Sequence, residues 1–259
     1  MYKVLEKIRL SEDACLLKVQ APHISRAQAG QFVMLQLTEG SEPVPVSILE
    51  TFEEGFTCFI KAVGRSTLEL LEEGEGLFYV AGPLGKPFPV KNYGRVVFYT
   101  HSWGIAPAIN VAKFLKKEGN SLYLCHTSEP LYLEALAKEV FDSIEVLNDL
   151  KACEADLVVS AGSNRLSKEL LNLYPNTPVI AMVSVHMLDA VGLCLVCRVM
   201  VEGKYLLACS DGPWFEAHKV DWDNLIDREA LYLEQEALAL EEYKRKLRRR
   251  ALKEDAGAV

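Results

Sequence analysis

Apolar and polar positions along residues 1–92 alternate in short runs, at Ala14–Val19, Phe32–Leu37, Phe56–Ala62 and Gly76–Val80. Gly, Pro and Glu clusters break these runs at strand-plus-turn spacing, which predicts a small antiparallel barrel or sandwich. One helix is expected there, Ser66–Glu73, because the Ser66–Thr67 pair can cap a first turn. At Gly94 the pattern changes. Arg95–Thr100 is a continuous apolar strand, and strands at Ser121–His126, Ile144–Leu147, Asp156–Ala161 and Pro178–Val185 then alternate with helices near Pro107–Glu118, Leu131–Val140 and Ser167–Leu173. Strand alternating with helix, with buried-type strands, predicts a doubly wound parallel sheet. From Met187 the pattern breaks around crowded cysteines, with a hairpin at Arg198–Val201 and Lys204–Ala208 that turns at Gly203. Beyond Asp221 a helix rich in Glu, Ala, Leu, Lys and Arg is expected, ending in the basic run Lys244–Arg250 and a disordered tail. The organisation expected is therefore a β barrel over 1–92, an α/β domain over 93–186, a cysteine module over 187–221, and a C-terminal helix and tail over 222–259.

Composition narrows the function classes. The chain has 259 residues, 50% hydrophobic and 25% charged, with a net charge of −8. An acidic balance argues against a nucleic-acid binder, which carries a basic face against phosphates. The start has charges every few residues and no apolar segment of signal-peptide type, and no stretch approaches a membrane span. A cytoplasmic protein with reduced thiols is expected. The basic run Lys244–Arg250 is expected to be a solvated helix end, with docking to an acidic partner surface as the alternative.

Seven cysteines then need an explanation. Cys15, Cys58, Cys125 and Cys153 lie in or beside apolar runs and are expected to be small buried hydrophobes. Cys194, Cys197 and Cys209 crowd together, in the order Asp189-x4-Cys194-x2-Cys197-x11-Cys209. A CxxC turn brings two sulfurs close, and the hairpin after it returns a third to the same place, a geometry that zinc and iron–sulfur clusters both accept. Zinc would normally add a second CxxC or an HxxxH pair, and neither is present. A thioredoxin-like CxxC would not need Cys209. The spacing is close to the plant-type 2Fe–2S pattern with Asp in place of the first Cys, so Asp189 is expected as the fourth ligand and His186 is its competitor.

Taken in order, several stretches resemble the ferredoxin–NADP reductase superfamily: Gly30–Val33 (GQFV), Pro45–Ile48 (PVSI), Val63–Thr67 (VGRST), Gly82–Phe88 (GPLGKPF), Gly104–Pro107 (GIAP) and Cys209–Pro213 (CSDGP). Within it the chain is similar to the electron-transfer subunits of dihydroorotate dehydrogenase and to the small subunits of NADH-dependent ferredoxin:NADP oxidoreductase. Asp189 is similar to the second branch. The resemblance implies a flavin-binding barrel, with FAD against Pro45, Val46, Ser47 and Ile48, its pyrophosphate at Val63, Gly64, Arg65, Ser66 and Thr67, and the glycine-rich turn at Gly82 close to the cofactor.

Two places depart from the family. An Arg that pairs with FAD phosphate is replaced by Pro43, which leaves Arg65 or Lys61 to supply the charge. The glycine-rich nucleotide loop reads His101-Ser102-Trp103-Gly104, and a later Gly-Pro is Gly162-Ser163, so nicotinamide nucleotide is expected to bind weakly or not at all. The function implied is an electron-transfer subunit of an oxidoreductase complex that passes electrons between FAD and a 2Fe–2S cluster, serving a larger flavin or iron–sulfur partner subunit, with ferredoxin a further redox partner. The alternatives are a non-catalytic scaffold that keeps only the cluster, and the dihydroorotate dehydrogenase role.

Overall fold

The computed structural model describes residues 1–256. Seven strands form the first sheet: β1 (Tyr2–Ser11), β2 (Ala14–Gln20), β3 (Phe32–Gln36), β4 (Val44–Phe52), β5 (Gly55–Lys61), β6 (Gly76–Leu77) and β7 (Tyr79–Leu84), with helix α1 (Arg65–Glu73) between β5 and β6. Their order is β6-β1-β2-β5-β4-β3-β7, every pair antiparallel. The two end strands are joined by Phe78, whose amide donates to the Gln36 and Leu37 carbonyls, so the sheet curls into a nearly closed barrel. Alternation does the sorting. Val46 and Ile48 of β4 point into the barrel core with Leu17, Val33, Phe56 and Ile60, while Pro45 is exposed and Ser47 half-buried.

The second sheet is built from β8 (Arg95–Thr100), β9 (Ser121–His126), β10 (Ser143–Val146), β11 (Leu157–Ala161) and β12 (Val179–Met182), with α2 (Ile105–Lys117), α3 (Glu134–Val140) and α4 (Asn164–Leu173) between them. It runs β10-β9-β8-β11-β12 in parallel and turns direction of growth at β8, the topological switch point of a doubly wound sheet. α2 is apolar on almost every side because it lies between the barrel and this sheet: Ile105, Ile109, Val111 and Leu115 share a core with Leu49 and Phe59 of the barrel and Val96 and Val159 of the sheet.

After Cys197 come the hairpin β13 (Arg198–Val201) and β14 (Lys204–Leu207), then Cys209, β15 (Trp214–Glu216), α5 (Trp222–Glu229) and α6 (Leu233–Ala256). β15 pairs antiparallel with β12 and becomes an edge strand of the second sheet. The C-terminal segment expected to be one helix is thus two, and α6 runs on past Arg250 through residues expected as tail; residues 257–259 of that tail lie outside the described residues. No helix among the described residues is long and apolar enough to cross a membrane. Cys15, Cys58 and Cys125 are buried and Cys153 half-buried, all with free thiols.

Candidate functional site

Cys194 and Cys197 lie in the loop before β13 and Cys209 in the turn after β14, so the hairpin brings the two segments together. Cys197 and Cys209 are buried in the same core as Val97, Tyr99, Val158, Trp222 and Leu225, whereas Cys194 is exposed. The free thiols of Cys197 and Cys209 are hydrogen-bonded to each other, and the Cys194 thiol to the Asp189 carboxylate. Asp189 also gathers its own loop: Oδ1 accepts the Val191 amide at 3.0 Å, and Oδ2 accepts the Leu193 and Cys194 amides at 3.1 and 2.5 Å. These amides, with Val191 first, hold the carboxyl below its ordinary value, although desolvation opposes them. Burial, then the Cys197 contact, pushes the Cys209 thiol up to about 12 in the absence of a cation.

Among the described residues no three His, Cys, Asp or Glu side chains close around one point, as a single zinc ion would require. The four instead sort into two pairs, Asp189 with Cys194 and Cys197 with Cys209. In a 2Fe–2S cluster each iron takes two protein ligands and two bridging sulfides, so paired donors of this chemistry fit it. His186 is turned elsewhere: Nε2 lies 2.8 Å from Glu236 Oε1 and the ring meets Tyr232 edge-on.

Residues distant in sequence fix this loop, and spacing gave no sign of them. Arg228, at the end of α5, donates to the Val196 carbonyl at 2.6 Å and to the Arg198 carbonyl, on the residues either side of Cys197. Asp211 Oδ2 accepts the Leu207 amide at 2.9 Å and closes the turn after Cys209. Across the loop, the Lys86 amide donates to the Gly212 carbonyl at 2.6 Å. Gly85 has φ +79, and a Cβ there would lie 2.8 Å from the Gly212 oxygen. The glycine of the 82–88 turn is therefore required by the backbone of the cysteine loop. Trp214 Nε1 donates to the Gly30 carbonyl at 2.9 Å, and Gly30 too leaves no room for a side chain under the indole. The Trp directly follows the CSDGP stretch, the one local signal that could have marked it.

The barrel residues separate into two groups. At the start of α1, Thr67 Oγ1 accepts the Val63 and Gly64 amides at 3.0 and 3.1 Å, while the Ser66 hydroxyl has no partner among the described residues. Open space surrounds Gly64, with no atom within 4 Å of where a Cβ would stand, and Val63 and Arg65 are exposed. An open helix start with a free hydroxyl and a nearby cation fits the diphosphate of a dinucleotide. Pro45 and Ser47 face outward on β4, and Val46 and Ile48 offer only their backbone. Gly82 packs inside, against Val33 and Ile24. Lys61 is drawn away from this group: its ammonium binds the Asp13 carboxylate and lies over the Tyr132 ring, so its charge serves the contact between barrel and α/β domain. The reason is Asp13, which that ammonium, ahead of any other group, holds down to about 2.

At the switch point the loop after β8 is filled by its own side chains. Ser102 stands at φ +50 and donates its amide to Ser128 Oγ at 2.8 Å. Ser128 Oγ lies 3.1 Å from His126 Nε2, and His126 Nδ1 lies 2.7 Å from Thr100 Oγ1. His101 Nδ1 meets Thr127 Oγ1 at 3.2 Å, and Trp103 packs into the core around α2. Gly104 remains a glycine because a Cβ would strike the Ala161 carbonyl.

Comparison with known proteins agrees with this geometry. Residues 185–221 match the iron–sulfur cluster binding domain of dihydroorotate dehydrogenase B. The chain is 33% identical to a dihydroorotate dehydrogenase B (NAD(+)) electron transfer subunit homolog of Thermotoga maritima, over 93% of this chain and 95% of the relative. It is 27% identical to the dihydroorotate dehydrogenase B electron transfer subunit of Clostridium perfringens, over 85% and 97%. Among solved structures it is similar to an NADH-dependent reduced ferredoxin-NADP oxidoreductase that performs flavin-based electron bifurcation, with a TM-score of 0.86 at 28% identity over 94% of this chain and 98% of the other.

Proposed function

The chain belongs to the family of dihydroorotate dehydrogenase B electron transfer subunits and their homologues, and from that premise we propose that it is the FAD- and 2Fe–2S-carrying electron-transfer subunit of a larger oxidoreductase. When bound, FAD would accept electrons in pairs and release them one at a time to the cluster, which couples a two-electron donor to one-electron carriers. The observation that carries the proposal is the paired arrangement of Asp189 with Cys194 and Cys197 with Cys209 on a loop bonded directly to the barrel through Lys86 and Gly212. Asp189, Cys194, Cys197 and Cys209 would together hold the cluster. Arg228 keeps the CxxC turn in place and adds a positive charge beside it. Pro45, Ser47 and the backbone of Val46 and Ile48 receive the flavin ring, and Gly64, Arg65 and Ser66 its diphosphate.

Leu188, Val191, Leu193 and Leu195 ring the cluster loop and are 60, 60, 82 and 54% exposed. An apolar rim of this kind around a redox centre is a docking face for the larger flavin or iron–sulfur subunit. The chain has no turnover of its own without that partner. The network of Ser102, Ser128, His126 and Thr100 occupies the switch point, so nicotinamide nucleotide does not bind there. The names of the sequence relatives favour dihydroorotate as the complex's donor, whereas Asp189 in place of a cysteine favours the ferredoxin:NADP type.

Purified full-length chain, reconstituted with iron, sulfide and FAD, is expected to show flavin absorbance, two irons per chain and the electron-resonance signal of a reduced 2Fe–2S cluster. Uptake of neither flavin nor iron would overturn the proposal, and a cluster without flavin would make the chain a scaffold. Calorimetry with NADH and NADPH on the FAD-loaded protein is expected to give no binding heat. The complex recovered from its native host decides the donor by its activity with dihydroorotate or with reduced ferredoxin.

A further inference from the structure

The electron path described so far leaves the basic end of α6 without a role. α6 packs on α1: the buried Tyr243 hydroxyl donates to Glu73 Oε1 at 3.1 Å, and Arg250 Nη1 lies 3.4 Å from the same oxygen. A cavity of about 1100 Å³ opens there, of the size that small-molecule sites reach. Arg65, at the start of α1, lines it on one side, and Arg245, Lys246, Arg249 and Arg250 of α6 on the other.

The charges decide what the cavity can hold. Arg65 is bonded to Glu69 at 2.8 Å and also faces Glu42 and Glu242, so on its own it stands among three carboxylates. On the barrel side alone Glu69 and Glu42 already offset the Arg65 charge, so a phosphate at the start of α1 needs cations from elsewhere. Arg245, Lys246 and Arg249 have no carboxylate within ion-pair distance among the described residues, while Glu241 is taken by Lys244. They reverse the sign of the site. Their spacing also matters. Arg245 and Lys246 follow Glu241 and Glu242 by four residues, and those two glutamates also line the cavity, so five cations and two carboxylates face it. The helix dipole does not account for them, because its effect fades beyond the last turn and α6 runs on to Ala256. A face with a surplus of cations that opens on a cavity is what a polyanion stabilises.

We propose that the C-terminal half of α6 completes the flavin site by binding the diphosphate of FAD, with Arg245, Lys246 and Arg249 as its cationic partners opposite Arg65. This rests on the proposed position of the FAD diphosphate at Gly64–Ser66. It also supplies the charge lost where Pro43 replaces the family's arginine and where Lys61 is bound by Asp13.

The test is FAD affinity of the full chain, measured by flavin fluorescence on flavin-free protein, with riboflavin as the ligand that lacks phosphate. Arg245→Gln/Arg249→Gln is expected to bind FAD about 10- to 100-fold more weakly than the wild type, and riboflavin equally well. Arg245→Lys/Arg249→Lys is expected to keep most of the FAD affinity, and FAD, unlike riboflavin, to slow tryptic cleavage within residues 245–250. Equal FAD affinity in the Gln variant overturns the proposal, as does an equal loss of riboflavin binding, which would mean a change in fold. Loss of partner binding with FAD affinity intact would make α6 a protein-docking surface and likewise overturn it. If the wild-type chain binds riboflavin but not FAD any better, the diphosphate position fails; if it binds neither, flavin binding itself is absent.

Discussion

In the proposed cluster Asp189 would have two tasks that a cysteine in its place could not both perform. Its carboxylate gathers the amides of Val191, Leu193 and Cys194 and stands beside the Cys194 thiol, so it shapes the loop and would also offer an oxygen to iron. Asp189→Ala is expected to lower the iron content of the reconstituted chain, while Asp189→Cys is expected to keep the iron and shift its visible bands; unchanged iron and spectrum in the Ala variant would remove Asp189 from the ligand set. His126 makes a different prediction. It is fully buried, and burial first, then His101, lowers its pKa from 6.5 to about 4. Between those values the unfolded chain binds the proton and the folded one does not, so the stability His126 contributes is complete above pH 6.5 and is lost as pH falls towards 4, on the order of 3 kcal/mol. Thermal unfolding against pH is expected to show a shallower acid limb for His126→Asn than for the wild type. At this scale the sequence was legible where chemistry is local. Cys194, Cys197 and Cys209 stand out by spacing, and the β13–β14 hairpin is the local element that returns the third cysteine to the first two. Lys61 did not, because Asp13 and Tyr132, which claim its ammonium, come from two other elements.

Elements were legible where both their faces are apolar or cleanly alternate. β8, β9 and β11 are buried throughout or nearly so, and α2 is helical by every local sign. β1 carries charges along an exposed face and reads poorly as a strand, yet it pairs along most of its length with β2. α6 was read as a solvated end because cations on a helix usually are; only the approach of α1 turns that face into the wall of a cavity. α5 holds the clearest energetic lever on the cluster. Arg228→Ala removes the donor to two carbonyls beside Cys197, at a cost of about 1–3 kcal/mol to the loop. Faster loss of the iron absorbance in air or with chelator is expected, with the rest of the fold intact by circular dichroism; an unchanged rate would show that the CxxC turn holds itself.

For the whole molecule, the two sheets were legible but their joining was not. Asn110 of α2 is buried between them, accepting the Gly30 amide at 2.7 Å and donating to the Leu49 carbonyl at 3.2 Å. Asn110→Ala leaves both backbone groups unpaired, at about 2–4 kcal/mol. Because the same seam carries Trp214 and the Lys86–Gly212 bond, flavin release and cluster loss are expected to occur in one transition on denaturation of the wild type, and to separate into two in the Asn110→Ala variant. Nothing in residues 1–92 taken alone foretells this seam, since its partners lie in α2 and β15.

The indole of Trp214 over Gly30 closes a contact across 184 residues. A ribosome adding roughly 5–20 residues per second needs on the order of 10–40 s to travel that distance. Asn110 reaches the Gly30 amide 80 residues after it, and for the rest of that interval the Gly30 carbonyl waits for its indole. A chain that ends before Trp214 leaves that carbonyl, and the edge of β12 that β15 pairs with, uncovered.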